Sequence, residues 1–159
     1  MRLVLALPDA LPRRELDDGR TLAVLAGPED RPAATLTLVH PAIAPMSLIE
    51  FASDTARVEL PAGAISELQS SRVDRNQFGW EMQVSQTSVV RPGPREILEV
   101  RLAAIYRFVS YQPFVAAAVG RIFEPARLEE LRPQLMAIFQ SGRPDWSGRE
   151  PACLAQFYD

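Results

Sequence analysis

"FVSYQPFVAAAVGRIF", from Phe108 to Phe123, is the most apolar stretch of this 159-residue chain, and its reading decides the fold. A membrane-spanning helix needs roughly 20 mostly apolar residues. The run from Phe108 to Val119 falls short of that length, carries Ser110, Tyr111, Gln112 and Pro113, and lies between Arg107 and Arg121. No membrane span is expected. A single buried helix would place Pro113 in its interior at a cost of roughly 3 kcal/mol. Two strands across a tight Tyr111–Gln112–Pro113 connection fit better, because proline cannot donate to a ladder and marks a break in pairing.

Working outward, "REILEVRLAAIYRFVSY" (Arg95–Tyr111) reads as one long strand with Glu99, Arg101 and Arg107 spaced along it. "RPGP" (Arg91–Pro94) is a turn, since its prolines fix φ and remove donors. Before it, "DRNQFGWEMQVSQTSVV" (Asp74–Val90) alternates: Trp80, Met82 and Val84 point one way, Glu81, Gln83 and Ser85 the other. That period predicts an antiparallel sheet with one packed face and one wet face. "AISELQSSRV" (Ala64–Val73) precedes it, with Asn76–Gly79 as the turn. Nearer the N-terminus, Arg2–Pro8, Thr21–Gly27 and Ala34–Pro41 read as strands, the last from its threonine–leucine alternation. The prolines of "PAIAPM" are expected to end it.

Two segments predict helices. Ser47 and Glu50 form a capping box, and Leu48, Phe51 and Ala52 share a face over Leu48–Val58. Leu128, Leu131, Leu135, Ile138 and Phe139 recur at helical spacing before Gly142, with Pro133 opening a new segment or kinking a longer one. The expected fold class is therefore α+β: a single domain with a twisted antiparallel sheet of about six or seven strands flanked by two main helices.

Element order and three local stretches, "FGWEMQV", "ILEVRLAAIYRFV" and "LRPQLMAIFQS", resemble the PsbP/DcrB-like fold family. That fold is shared by the photosystem lumenal subunit PsbP, the yeast Ran-GTPase release factor and the Eag-type chaperones of type VI secretion. The resemblance covers roughly Arg2 to Ser141, giving a domain over residues 1–141 and a C-terminal extension over 142–159. The Eag-type branch would imply an apolar client helix of a secreted effector.

Composition sets bounds. Hydrophobic residues make up 47% and charged residues 23%, with a formal net charge of −3. No basic footprint for nucleic acid is present. All 17 basic residues are arginine, so a phosphate-loop lysine, a Schiff base and a lysine general base are excluded. The one cysteine, Cys153, excludes an intramolecular disulfide. Pro8 and Asp9 interrupt the first apolar run, so a first strand is expected there rather than a signal peptide, and a cytoplasmic location by default.

Chemistry is hard to find. His40 is the sole histidine and ends a strand; Cys153 has no adjacent base to activate it. Asp17–Asp18 precede Gly19 as a turn, and Glu129–Glu130 sit in the first turn of a helix, where its dipole favours negative charge. The glycines match no dinucleotide or phosphate loop. No catalytic, cofactor or metal residues are expected. Tyr106, Phe108, Tyr111 and Phe114, with Arg107 and Arg121, instead combine the residue types enriched at interface centres. The expectation is a non-enzymatic protein-binding module, a chaperone or adaptor for a secreted or membrane-associated client, open to homodimerisation. A structural subunit of a larger assembly is the alternative, followed by a small-ligand binder or enzyme with a pocket near His40.

Overall fold

The computed structural model describes residues 2–16, 21–43, 60–76, 81–107 and 114–145. In chain order its elements are β1 (Arg2–Val4), β2 (Arg13–Glu15), β3 (Thr21–Ala26), β4 (Ala34–Ile43), β5 (Ile65–Arg75), β6 (Glu81–Arg91), β7 (Glu96–Arg107), β8 (Phe114–Ile122), a 3-10 turn (Pro125–Arg127), α1 (Leu128–Gln140) and β9 (Arg143–Asp145). Within the Phe108–Phe123 stretch Phe114–Ile122 is strand, residues 108–113 lie outside the described residues, and β7, which ends just before the stretch, pairs antiparallel with β8 from Val100↔Ile122 to Arg107↔Val115. They lie at the centre of a seven-stranded, wholly antiparallel sheet of order β2-β3-β4-β8-β7-β6-β5. β1 and β9 form a separate two-stranded ribbon, which brings the first residues of the expected C-terminal extension against the N-terminus.

The expectation of two main flanking helices is corrected. Among the described residues the helical structure is α1, 13 residues long, led by the 3-residue 3-10 turn; the rest is mainly sheet. The helix expected over Leu48–Val58 lies outside the described residues. Pro133 neither starts nor ends a segment but sits inside α1 on its exposed side, costing the helix one backbone bond.

α1 docks where the sheet is thinnest. Ala116, Ala118 and Gly120 alternate along β8 on the face toward the helix, and a Cβ on Gly120 would lie 2.7 Å from Leu135 Cδ2. Leu131, Leu135, Ile138 and Phe139 fill this trough and meet Leu36, Met82, Leu102, Tyr106 and Ile122, all buried. The apolar character of β8 therefore serves the core, with small side chains where the helix must approach.

The last turn of α1 is tied to the sheet. The Tyr106 hydroxyl donates to the Phe139 carbonyl at 2.8 Å, and the Asn76 amide donates to the Gly142 carbonyl. Ser141 Oγ donates to the Ile138 carbonyl at 2.6 Å and accepts from the Ala6 N–H at 2.8 Å. These bonds satisfy carbonyls that a helix end otherwise leaves orphaned.

Two details differ from the sequence pattern for physical reasons. β4 continues through Pro41 to Ile43, because β3 stops pairing with it at Thr21↔Leu38 and an irregularity between Val39 and Ala42 interrupts the β8 ladder. Pro41 thus sits beyond the β3 ladder and within a β8-side irregularity, where no regular donor is required. The face opposite α1, expected to be wet, is largely closed: Thr35, Thr37, Ser85, Thr87, Glu99 and Arg101 are all buried there.

Candidate functional site

That second face is organised in rungs running across the sheet. One rung is Leu68–Thr87–Arg101–Arg121–Thr35–Val24; the next is Ser71–Ser85–Ala103–Val119–Thr37–Leu22–Arg14. Strand alternation places these side chains together and puts Leu102, Ala104 and Tyr106 on the other side.

Arg101 and Arg121 stand directly opposite each other on β7 and β8, an arrangement that repels unless something binds both. Glu99, two residues before Arg101 on the same strand, does so. Its Oε1 accepts from Arg101 Nε at 2.7 Å and from Arg121 Nε at 2.6 Å, and its Oε2 accepts from Arg121 Nη2 at 3.0 Å. The Glu99 and Arg101 side chains are 4% and 3% exposed, that of Arg121 19%. Burial alone pushes the Glu99 carboxyl up, but the hydrogen bonds and charges of Arg121 and Arg101 together outweigh it and hold the group below its ordinary range. Both arginines make further interactions as well.

Arg121 carries this buried cluster out to the surface. Its guanidinium lies 4.9 Å from the centre of the Phe123 ring, a cation–π contact. Beside that pair opens a cleft of about 390 Å³. Its floor is Thr35 and Thr37 with Leu22 and Val24, and Arg14, Glu29, Asp30 and the Arg121–Phe123 pair also line it. The rim is shaped by the β3–β4 turn, where Gly27 adopts φ +82° and a Cβ would come within 2.6 Å of the Ala33 nitrogen. A shallow extension of about 60 Å³ continues toward Pro12 and Arg13.

Of the residues singled out from sequence, Tyr106 and Arg121 lie on opposite faces of the sheet. Tyr106 is fully buried beneath α1, and burial pushes its phenol up, so it stays neutral and serves as a hydrogen-bond donor within the core. Arg121 lies on the opposite face, at the cleft. Arg107 is the last residue of β7, in register with Val115 and Glu81, and Phe114 is the first of β8, in register with Ile43. Phe108 and Tyr111 lie outside the described residues. His40 falls within β4, at the irregularity of its ladder with β8 between Val39 and Ala42. Glu99, Arg14, Thr35 and Thr37 were missed. Strand parity offered a signal, because Glu99 and Arg101 at i and i+2 must share a face.

Among the described residues, no group of three or more histidine, cysteine, aspartate or glutamate side chains is placed to hold a metal ion. Nor is any helix among them long and apolar enough to cross a membrane.

No family model and no curated protein matches the chain. Among solved structures, cyanobacterial PsbP (CyanoP) from Synechocystis sp. PCC 6803 is similar, with a TM-score of 0.52 and 11% identity over 88% of this chain and 98% of that one. The fold is PsbP-like. At that identity the likeness extends to the PsbP-like architecture and not to any residue of the cleft.

Proposed function

We propose that this chain is a non-enzymatic protein-binding module, a chaperone or adaptor that holds a segment of a secreted or membrane-associated client. The observation that carries this reading is the cleft on the face opposite α1, with an arginine stacked on a phenylalanine at its rim and threonine hydroxyls on its floor. Arginine and aromatic side chains are enriched at interface centres, and hydroxyls serve peptide N–H and C=O groups equally. A fitting segment carries small apolar side chains for Leu22, Val24 and Phe123 and a carboxylate for Arg14.

The test is affinity purification of the tagged protein from its own cells beside an Arg14→Glu variant. Arg14 is exposed, so the variant is expected to fold normally. One dominant client, lost from the variant, supports the reading. A client retained by the variant moves the site elsewhere, and no client in either sample overturns it.

A second reading has a specific observation behind it. The cleft falls within the roughly 300–1,000 Å³ typical of small-molecule pockets. In that case the occupant is a small anion, and thermal stabilisation by a panel of small carboxylates and phosphates, abolished by Arg14→Glu, separates it from a protein client.

A further inference from the structure

We propose that the outer edge of β5 pairs with the β5 edge of a second copy of this chain, joining two seven-stranded sheets into one across a two-fold axis between Gln69 and Ser70. This goes beyond the client-binding reading and does not depend on it.

β5 is 11 residues long and, among the described residues, is laddered only to β6. Its side chains are largely exposed, with Leu68 at 66% and Val73 at 69%. A long edge with exposed apolar side chains is a template for another strand unless bulges or charges block it. β5 has both devices, and both become complementary when the partner is itself.

The bulge sets the faces. Leu68 lies opposite Thr87 and Ser70 opposite Gln86, so Gln69 is the extra residue. Glu67, Ser70, Arg72 and Asp74 consequently share one face, while Ser66, Leu68, Ser71 and Val73 share the other. Antiparallel partners must match in face and in hydrogen-bonding type. An axis between Gln69 and Ser70 meets that condition for every pair outside the bulge.

The charges choose this register. It sets Glu67 opposite Arg72 of the second copy, and by symmetry Arg72 opposite its Glu67. On the other face Leu68 stands diagonal to Val73 of the second copy, twice, so four exposed apolar side chains close on one another. Moving the axis one residue toward the C-terminus would set Glu67 opposite Asp74, two carboxylates face to face. Moving it the other way would set Glu67 opposite Ser70 and lose both ion pairs. Within the described chain Arg72 makes no ion pair, and Glu67 has a loose contact of 3.9 Å with the exposed Arg95.

The experiment is sedimentation velocity over a concentration series. The wild type is expected to form a concentration-dependent dimer. Glu67→Arg alone and Arg72→Glu alone each turn two attractive pairs into repulsive ones and should weaken it by at least about tenfold. An equal mixture of the two single variants restores complementary pairs and should dimerise again, as should the doubly swapped Glu67→Arg/Arg72→Glu chain. A wild type that stays monomeric into the millimolar range overturns the proposal and leaves the edge to a strand of another protein. A dimer indifferent to the single reversals, or reversals that mixing does not rescue, overturns it as well.

Discussion

Glu99→Gln tests the cluster beneath the cleft most directly, because it changes charge while leaving shape almost untouched. Removing one partner of a buried pair costs about 3–5 kcal/mol, since the remaining charge loses its compensation. Arg101 and Arg121 keep further interactions, so the lower end, about 3 kcal/mol, is expected. For a chain of this size each kcal/mol moves the melting temperature by about 2–4 °C, giving a drop of about 6–12 °C by calorimetry at neutral pH. The acid limb supplies an independent reading. Glu99 ionises more readily in the folded state than in the unfolded one, so its contribution is complete at neutral pH. It fades as pH falls through the ordinary carboxylate range toward the depressed folded value. Glutamine cannot titrate, so the gap between variant and wild type should narrow on acidification. A variant that melts with the wild type at neutral pH, or a gap that stays constant into acid, would refute the reasoning.

Three further substitutions probe the docking of α1. Gly142→Ala places a Cβ 2.6 Å from Tyr106 Cε1 and 2.9 Å from Cζ of a ring that cannot move outward, and should cost about 1–3 kcal/mol in urea unfolding with an altered near-ultraviolet tyrosine signal. Gly120→Ala meets Leu135 Cδ2 at 2.7 Å and Cδ1 at 3.0 Å. Its loss should be of similar size and partly recovered by adding Leu135→Val, a coupling that a double-mutant cycle measures. Tyr106→Phe removes the donor to the Phe139 carbonyl, which keeps the Gly142 N–H at 3.2 Å, so about 0.5–1 kcal/mol is expected from the same unfolding assay. An unchanged unfolding midpoint in any of the three would contradict the contact it tests.

How far the fold was legible depended on whether a signal was local. Pro113 and the alternation on either side of it separate β7 from β8 without knowledge of the rest, and "RPGP" marks the β6–β7 turn, where Gly93 takes φ +104°. The path of β4 through Pro41 was not legible, because it depends on where a different strand, β3, stops pairing. Gly142 lies just past the helical spacing in the sequence, and the helix does end before it, at Gln140. The constraint on Gly142 itself is the Tyr106 ring, 36 positions earlier in sequence, which leaves no room for a Cβ. Nor did the alternation of Gln83 and Ser85 with Met82 and Val84 reveal that the polar face is closed. A serine at 8% exposure and a solvated one look alike in sequence.

The site was legible only in part, and the same period of two explains both halves. Tyr106 and Arg107 are adjacent on a strand and so belong to opposite faces; an aromatic and arginine cluster read along the chain is bound to divide. Tyr106 follows Leu102 and Ala104 to the helix side, where α1 already occupies the surface. Arg101 and Arg121 go to the other side, where Glu99 neutralises part of their charge and Phe123 carries Arg121 to the cleft rim. The apolar strand pair is thereby committed to holding the helix, and the cleft on the other face offers an occupant both apolar side chains (Leu22, Val24, Phe123) and polar or charged ones (Arg14, Thr35, Thr37, Arg121). A client engaged there would add a carboxylate on Arg14 to the apolar area it buries. Its binding should then weaken with salt when Arg14 is present and lose that dependence when Arg14 is replaced.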